Sequence, residues 1–239
     1  MMRSPLATEP LFHLGVVAVS APVAVTWVIM ALLWAAAVLI TRRLSLSPSS
    51  TSQIWSKAQA VLELFVETID QQIRDTMQVE PARYRTLIGT LFLFILVSNW
   101  ASLIPGVEPP TAHIETDAAL SFIVFCATIF YGVRTRGLWR YLATFAEPSW
   151  VMIPLNVVEQ ITRNFSLVVR LFGNVMSGVF VIGIVLSLAG LLVPIPLMAL
   201  DLLTGAVQAY IFTVLAMVFI GAAVTDGVPA SSNNRQGKQ

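Results

Sequence analysis

Residues 151–193 read VMIPLNVVEQITRNFSLVVRLFGNVMSGVFVIGIVLSLAGLLV and form the longest apolar stretch of the chain. The pattern is helical throughout, and about 43 residues at 1.5 Å each make about 65 Å, roughly twice the hydrocarbon thickness of a bilayer. We therefore expect a membrane helix that tilts steeply, bends, or is divided into two helices. Pro194 and Pro196 end it.

The rest of the composition is also that of a membrane protein. Of 239 residues, 56% are hydrophobic and only 11% are charged, whereas a soluble domain averages about 25% charged residues. We predict an all-α polytopic membrane protein with about five membrane spans, the last two long and tilted, plus one amphipathic interfacial helix. The net charge of +1 gives no indication of nucleic-acid binding.

The segments follow one another in a single membrane domain, 1–239. After the first span, apolar residues recur every three or four positions from Ile54 to Met77, opposite a face that carries too many charges to cross a bilayer. This helix should lie at the membrane surface. The predicted segments are a first span (23–41), the amphipathic helix (52–78), a second span (86–104), a third span (117–132), the long tilted helix (151–193), a last helix (197–224) and a cytoplasmic tail (225–239).

Positive residues predict the orientation, because cytoplasmic loops carry an excess of Lys and Arg. The connection 98–117 and the turn around Pro194 contain neither. Five spans then place the N-terminus outside and the C-terminus in the cytoplasm of a bacterial cell. The cytoplasmic basic residues are Arg42, Arg43, Lys57, Arg134, Arg136 and Arg140.

Few residues offer metal or redox chemistry. Cys126 is the only cysteine and lies in an apolar run, so we expect a small core residue and no intrachain disulfide. The two histidines, His13 and His113, both lie near span ends. We expect no metal site and no cofactor.

Arg170 is the residue that most needs an explanation. A guanidinium stays charged at physiological pH, and its cost at bilayer depth runs from about 3 to above 10 kcal/mol. A chain that accepts such a cost normally uses the charge. Arg170 belongs to a polar stripe at helical spacing on the long helix. The members of the stripe are Glu159, Arg163, Ser166, Arg170, Gly173 or Asn174, and Ser177.

The last helix carries a polar stripe of its own. Asp201 and Gln208 lie two turns apart on one face, with Thr204 between them. Two such stripes, joined by a short turn that contains proline, should face each other and line a hydrated path or a surface for a partner.

Simpler roles remain open for several of these residues. Serine and threonine often mediate only helix packing in membranes. Arg163 and Glu159 lie four residues apart and could pair with each other. Asp201 could be a solvated acid at the start of its helix. His113, Glu115 and Asp117 could form a solvated loop or the mouth of an ion path.

These motifs closely resemble those of subunit a of bacterial F-type ATP synthases. The signature is residues 166–174, SLVVRLFGN, with Gly178 behind it, and the last-helix motif is QAYIF, 208–212. SNW, 98–100, through Pro105-Gly106, and PTA, 110–112, resemble the end of the family's second span. The resemblance covers roughly residues 87–223.

The resemblance implies a stator subunit of a rotary motor, non-catalytic and without a cofactor. Ions would enter one half-channel, load a carboxylate of the c-ring opposite Arg170, and leave through a second half-channel. Arg170 matches the essential arginine, with Asn174 beside it and Gln208 on the facing helix. Glu159 would belong to the cytoplasmic half-channel. The implied partners are the c-ring, b-type peripheral stalk subunits, membrane lipid and the transported H⁺ or Na⁺.

Three positions depart from the family pattern. Many members have an acid where this chain has Val179, and His or Glu where it has Asp201. His113 and Glu115 stand in a region where some members have aspartate and asparagine. We therefore expect Asp201, His113 and Glu115 to form the external half-channel, in a divergent subfamily for which Na⁺ is one candidate coupling ion.

Two other classes of function compete with this one, a secondary transporter and an intramembrane enzyme. A secondary transporter could use an intramembrane arginine to bind an anionic substrate, but such proteins often show inverted repeats and this sequence shows none. An intramembrane enzyme would need a paired nucleophile and base or a metal motif, and none is visible.

Overall fold

The computed structural model describes residues 10–14, 17–46, 53–104, 107, 109–138, 152–189 and 193–225. A short antiparallel hairpin, Pro10–Leu14 paired with Val17–Ser20, precedes the helices and was not anticipated from the sequence. The rest of the described secondary structure is helical, which confirms the all-α class. The helices are α1 (Ala21–Leu46), α2 (Gln53–Met77), α3 (Arg85–Trp100), α4 (Ile114–Arg136), α5 (Met152–Ala189) and α6 (Pro194–Thr225).

Five helices, α1, α3, α4, α5 and α6, are long and apolar enough to cross a membrane. This confirms the prediction of about five spans. Helix α2 is not among them. The segment predicted as a cytoplasmic tail lies almost wholly outside the described residues, as do Trp139 and Arg140 of the basic connection.

Several helices extend beyond the predicted spans. Helix α1 continues past residue 41 to Leu46, and α4 begins at Ile114 and ends at Arg136. Hydropathy detects only the apolar middle of a membrane helix, whereas the backbone hydrogen-bond ladder continues into the polar interface.

The long segment forms one continuous helix. Helix α5 has 38 residues, which is about 57 Å at 1.5 Å per residue and exceeds the hydrocarbon thickness. Gly173, Gly178 and Gly183 lie within it without ending it. Of the three possibilities left open by the sequence, the division into two helices is therefore wrong for residues 152–189.

Helix α6 lies at the centre of the bundle and packs against α2, α3, α4 and α5. Its buried residues form the main core together with one face each of α3, α4 and α5. At the C-terminal end of α6, the Arg136 guanidinium donates to the carbonyl oxygens of Ala222 (3.3 Å) and Val224 (3.4 Å). The core residues are Leu91, Ile95, Leu120, Val124, Leu167, Leu171, Ala209, Phe212 and Ala216.

The apolar stripe of the amphipathic helix α2 packs against α3 and α6 in the second half of the helix. Ile69, Ile73 and Met77 are buried, whereas Val61, earlier on the same stripe, is exposed. The carboxylate of Asp70 accepts two hydrogen bonds from the guanidinium of Arg85 at the start of α3. A bidentate ion pair therefore fixes α2 to the bundle.

The expectation that Cys126 is a core residue is wrong. Its side chain is exposed on α4, on the same surface as Phe122 and Phe130. In a membrane protein the lipid-facing surface is as apolar as the core, so an apolar neighbourhood in the sequence does not distinguish the two.

Candidate functional site

The Pro194 end of the bundle is the end at which α3 and α5 finish and α4 and α6 begin. Asp201 of α6 lies there between two other helices. A Cβ added at Gly178 of α5 would stand only 2.0 Å from Asp201 Oδ1. The Ser102 hydroxyl, just after α3, donates to Asp201 Oδ2 at 3.0 Å. Asp201 is therefore a half-buried, hydrogen-bonded residue and not a fully solvated one.

A buried polar network lies next to this layer. Asn99 Nδ2 donates to the carbonyl oxygen of Gly205 (2.9 Å), and the Thr111 hydroxyl donates to Asn99 Oδ1 (2.8 Å). Asn99, Thr111 and Gly205 are buried, and a Cβ at Gly205 would lie 3.0 Å from Asn99 Cβ. The network joins α3, α6 and the turn before α4, and so fixes their relative register at the Pro194 end.

Glu115 and Asp117, which the sequence grouped together, have opposite environments. Glu115 is exposed and makes no hydrogen bond or ion pair within the described part of the chain, while His113 is partly buried. Asp117 is fully buried. The hypothesis of a solvated loop is therefore wrong for Asp117. Residues two apart on a helix point about 200° apart, since each residue turns 100°.

The burial of Asp117 had a sequence signal that was overlooked. The buried face of α4 repeats every three or four residues and carries small or polar side chains. Its members are Asp117, Leu120, Ser121, Val124, Thr128 and Gly132. On this face the Ser121 hydroxyl donates to the carbonyl oxygen of Asn164 on α5 (2.9 Å). Asp117 therefore belongs to the α4 face that packs on α5.

Asn174 and Gln208, two further predicted site residues, are directed into the bundle. Gln208 is buried, and its Nε2 has no hydrogen-bond partner within the described residues. The same holds for Asn174 Nδ2 and for Ser98 Oγ. The hydroxyls of Ser177 and Thr204 donate to carbonyl oxygens of their own helices, those of Asn174 (2.9 Å) and Asp201 (3.0 Å), so they do not join helices.

The remaining predicted residues of α5 line an open pocket of about 600 Å³ on the outer side of the helix. Its α6 wall is apolar and consists of Leu215 and Phe219. The polar stripe of α6 therefore does not face this part of the α5 stripe. The α5 residues that line the pocket are Leu155, Val158, Glu159, Thr162, Arg163, Ser166, Leu167 and Arg170.

The two arginines of the pocket differ in their partners. The Arg163 guanidinium pairs with Glu159, one turn away, and lies over the Phe219 ring at 5.6 Å from its centroid. Arg170 is exposed and has no ion-pair or hydrogen-bond partner in the part of the chain that the structure describes. The charge of Arg163 is thus neutralised within the subunit, and that of Arg170 is not.

The position of Arg170 follows from the helical period. Leu167, Leu171 and Val175 are buried against the bundle. Arg170 points about 60° away from Leu167 around the helix axis, so it lies at the exposed edge of this buried face. Counting back from the contact of Gly178 with Asp201 along two antiparallel helices, Arg170 is at about the level of Gln208. Arg170 is exposed and Gln208 buried at this shared level.

The described residues contain no group of three His, Cys, Asp or Glu side chains that could hold a metal ion. The acids of the site are spread over three helices, with Glu115 and Asp117 on α4, Glu159 on α5 and Asp201 on α6. Within the described residues, the site therefore offers carboxylates, the side-chain amides of Asn174 and Gln208, and the unpaired guanidinium of Arg170. These groups are distributed between the two ends of the helix bundle.

Comparisons with known proteins agree with one another. The model of a family described as ATP synthase A chain matches residues 23–221. A Bradyrhizobium sp. (strain BTAi1) protein named ATP synthase subunit a 2 is 54% identical over 224 residues, 94% of this chain and 97% of that protein. ATP synthase subunit a of Albidiferax ferrireducens is 43% identical over 215 residues, 90% of this chain and 91% of that protein. ATP synthase subunit a 1 of Prosthecochloris aestuarii is 44% identical over 209 residues, 87% of this chain and 92% of that protein.

Proposed function

Because this chain belongs to the ATP synthase A chain family, we propose that it passes ions to and from a ring of c subunits through two half-channels. The family membership makes it a non-catalytic, ion-translocating subunit of the membrane sector of an ATP synthase. Together with its apolar helices, it also makes the chain a multi-pass protein of the bacterial inner membrane. The route of the ions and the partners that the route requires are the proposal.

The observation that carries the proposal is the unneutralised charge of Arg170 on the outer side of α5. A bare guanidinium in lipid is costly, so this surface needs an anionic partner from outside the subunit. A ring of c subunits with one carboxylate per subunit at bilayer depth would supply such a partner repeatedly. The apolar residues around Arg170 on the same surface, Phe165 and Val169, would then contact the ring.

An arginine at this place can make the ring carboxylate release its ion. Two unit charges about 4 Å apart attract by roughly 4 kcal/mol at an effective dielectric constant near 20. Because 1.4 kcal/mol is a tenfold change in an equilibrium constant, Arg170 would weaken ion binding by the carboxylate about a thousandfold. Arg170 cannot itself lose its proton, so it also keeps the two half-channels separate.

The two half-channels would open at opposite ends of the bundle. The pocket with Glu159, Arg163 and Ser166 leads from Arg170 towards the start of α5, and we assign it to the cytoplasmic half-channel. Asp201 at the Pro194 end, with His113 and Glu115 at its mouth, would belong to the external one. In this arrangement the N-terminus lies outside and the C-terminus in the cytoplasm. B-type stalk subunits would hold the subunit against the turning ring.

The test is ATP-driven ion uptake by inverted membrane vesicles that contain the complete complex. We expect Arg170→Ala to abolish uptake while the c subunits still co-purify with this chain. Arg170→Lys should be severely impaired too, since an ammonium lacks the planar fork of the guanidinium. Arg83→Ala is the matched control, because Arg83 is exposed and lies away from α5. Normal uptake by the assembled Arg170→Ala complex would refute the proposal.

The coupling ion can be identified in the same vesicles. Uptake is measured with and without added Na⁺ and in the presence of a protonophore. Na⁺ coupling predicts uptake that requires Na⁺ and persists with the protonophore, and H⁺ coupling predicts the reverse.

A further inference from the structure

Asp117 is the most deeply enclosed carboxylate in the described part of the chain, and the proposed function gives it no role. Its side chain is fully buried on α4, and neither Oδ1 nor Oδ2 has a hydrogen-bond partner within the described residues. Asp70, also buried, has Arg85, and Asp201 has Ser102. Of these three aspartates, only Asp117 therefore lacks a hydrogen-bond partner within the described residues.

Helix register gives the depth of Asp117. The hydrogen bond from Ser121 to the Asn164 carbonyl aligns the antiparallel helices α4 and α5. One turn back along α4, Asp117 therefore lies near the level of Val168 on α5, within about one turn of Arg170. Asp117 faces the bundle, whereas Arg170 faces outward. The two groups thus lie at similar depth, with Asp117 buried and Arg170 exposed.

Other unpartnered polar atoms lie between the Pro194 end and Asp117. Ser98 Oγ precedes Asn99, whose amide bonds to Gly205 of α6. Asn174 Nδ2 lies one turn below Gly178, and Gln208 Nε2 lies about one turn below Gly205. Three helices therefore direct polar groups without protein partners into the layers above Asp117.

A buried carboxylate without a donor is unfavourable as a bare anion. It is stabilised by taking up a proton or by binding a cation. Natural proteins leave few buried polar side-chain atoms without a partner, and ionisable groups inside membranes generally mark ion pathways. A purely structural aspartate would be expected to accept hydrogen bonds from a neighbouring helix, and Asp117 accepts none within the described residues.

We propose that Asp117 is a binding station for the transported cation, a proton or Na⁺, at the inner end of the half-channel that opens at the Pro194 end. This inference rests on the proposed function and adds the carboxylate of Asp117 to the external half-channel. A proton would bind to a carboxylate oxygen of Asp117 and leave from that oxygen to the next acceptor, whereas Na⁺ would bind and leave without covalent change. The cation enters past Asp201, Ser98 and Asn174.

The first test is Asp117→Asn, which keeps the shape of the side chain but removes its negative charge and its ability to take up a proton. ATP synthesis driven by an ion gradient is measured in vesicles with the complete complex. We expect a loss of about tenfold or more for Asp117→Asn, and partial recovery in Asp117→Glu. The matched control is Thr128→Val. Thr128 is buried on the same face of α4, and its hydroxyl bonds only to its own helix (Val124 O, 2.8 Å).

A merely structural role is distinguished by the dependence on ion concentration. In Asp117→Glu, the pH (for H⁺) or the Na⁺ concentration (for Na⁺) that gives half-maximal synthesis should shift, and in Thr128→Val it should not. Asp117→Asn at the rate of the unaltered complex would overturn the proposal. An Asp117→Glu profile identical to that of the unaltered complex would overturn it as well. Arg170→Ala, measured alongside, tests the proposed function separately, because that function survives if only the Asp117 result fails.

A second variant covers the case in which Asp117→Asn does not assemble. Ser98→Cys is nearly isosteric, and Cys126→Ser removes the only native thiol. If cations pass Ser98 on their way to Asp117, Ag⁺ added from the external side should inhibit the double variant and leave Cys126→Ser alone unaffected. An absence of inhibition would show that the buried polar atoms are closed to ions from that side, and the proposal would be wrong.

Discussion

Gly178 and Asp201 determine the geometry of the Pro194 end through a single contact. The carboxylate occupies the space that a side chain on Gly178 would fill. Val179, which follows Gly178, can neither relay a proton nor bind Na⁺. Asp201 of α6 is the acid at this level, and it fits there because Gly178 of α5 has no side chain. We expect the residues at positions 178 and 201 to vary together among related sequences.

Gly178→Ala should displace Asp201, since the new Cβ would stand 2.0 Å from Oδ1 and 2.9 Å from the carboxyl carbon. We expect ion-driven ATP synthesis to fall by about tenfold, because a displacement of about 1 Å can cost a hundredfold at a reacting group. Gly183→Ala on the same helix is the control, as its Cβ would meet no atom within 4 Å. Equal synthesis rates in the two variants would contradict a functional role for this contact.

Asp201→Asn should strongly reduce ion-coupled ATP synthesis, because the amide keeps the hydrogen bond with Ser102 but carries no negative charge and takes up no proton. Ser102→Ala, which keeps the carboxylate and removes the hydrogen bonds of the hydroxyl with Asp201 (3.0 Å) and with the Asn99 carbonyl oxygen (2.8 Å), should have a milder effect. Glu115→Gln should also be mild, since Glu115 is exposed. Adding Val179→Glu to Asp201→Asn tests for partial rescue by an acid on α5. Synthesis at the unaltered rate in Asp201→Asn would leave Asp201 without a role in the ion path.

Among the elements, α2 is attached to the bundle by two kinds of interaction. Its apolar stripe packs on α3 and α6, and the ion pair of Asp70 with Arg85 closes the same interface. The Asp70 side chain is only 13% exposed while that of Arg85 is 43% exposed. Loss of the arginine therefore leaves a nearly buried charge unpaired, whereas loss of the aspartate leaves a cation that water can reach.

Arg85→Gln should accordingly destabilise the purified complex more than Asp70→Asn does. The double variant should be more stable than Arg85→Gln alone, because both charges are then absent. The measurement is the thermal midpoint at which this chain dissociates from the complex or becomes sensitive to protease. The ion-pair account would be contradicted if the two single changes were additive.

The α5–α6 register can be checked by disulfide formation in membranes. In a Cys126→Ser background, Gly178→Cys with Asp201→Cys should cross-link readily, since the two side chains would share one space. Gly183→Cys with Asp201→Cys should not, because residue 183 lies more than one turn further along α5 on another face. Cross-linking of the control pair alone would mean that the helices are shifted from the register described here.

For the whole molecule, the five candidate spans of the described residues would place the two termini on opposite sides of the membrane. Arg134 and Arg136 lie in the last turn of α4, at the end of the bundle away from Pro194, and positive residues indicate the cytoplasmic side. A fluorescent protein at the C-terminus should therefore mature and fluoresce, and alkaline phosphatase at the N-terminus should be active. Two active phosphatase fusions, one at each terminus, would contradict the proposed orientation.

The sequence by itself determined the class of the fold. Apolar runs of sufficient length fix the number of spans because the bilayer requires each backbone polar group to be satisfied within a helix. The helical period identified the stripe that contains Arg170, and the motif around it identified the family. These features depend only on local spacing and on the cost of a charge in lipid, so they can be derived without knowing which helices are neighbours.

The tertiary structure decided which polar residues face inward and which have partners. The sequence analysis grouped Asp117 with Glu115, and packing of α4 in the bundle buries only Asp117. Cys126 proved to be exposed because lipid-facing and core-facing positions are equally apolar. The pairing of Arg163 with Glu159 follows from their spacing on one helix, whereas only the packing of the helices shows that Arg170 has no partner within the described residues. Such differences arise from helix register and from contacts between residues far apart in the chain, which hydropathy and periodicity do not encode.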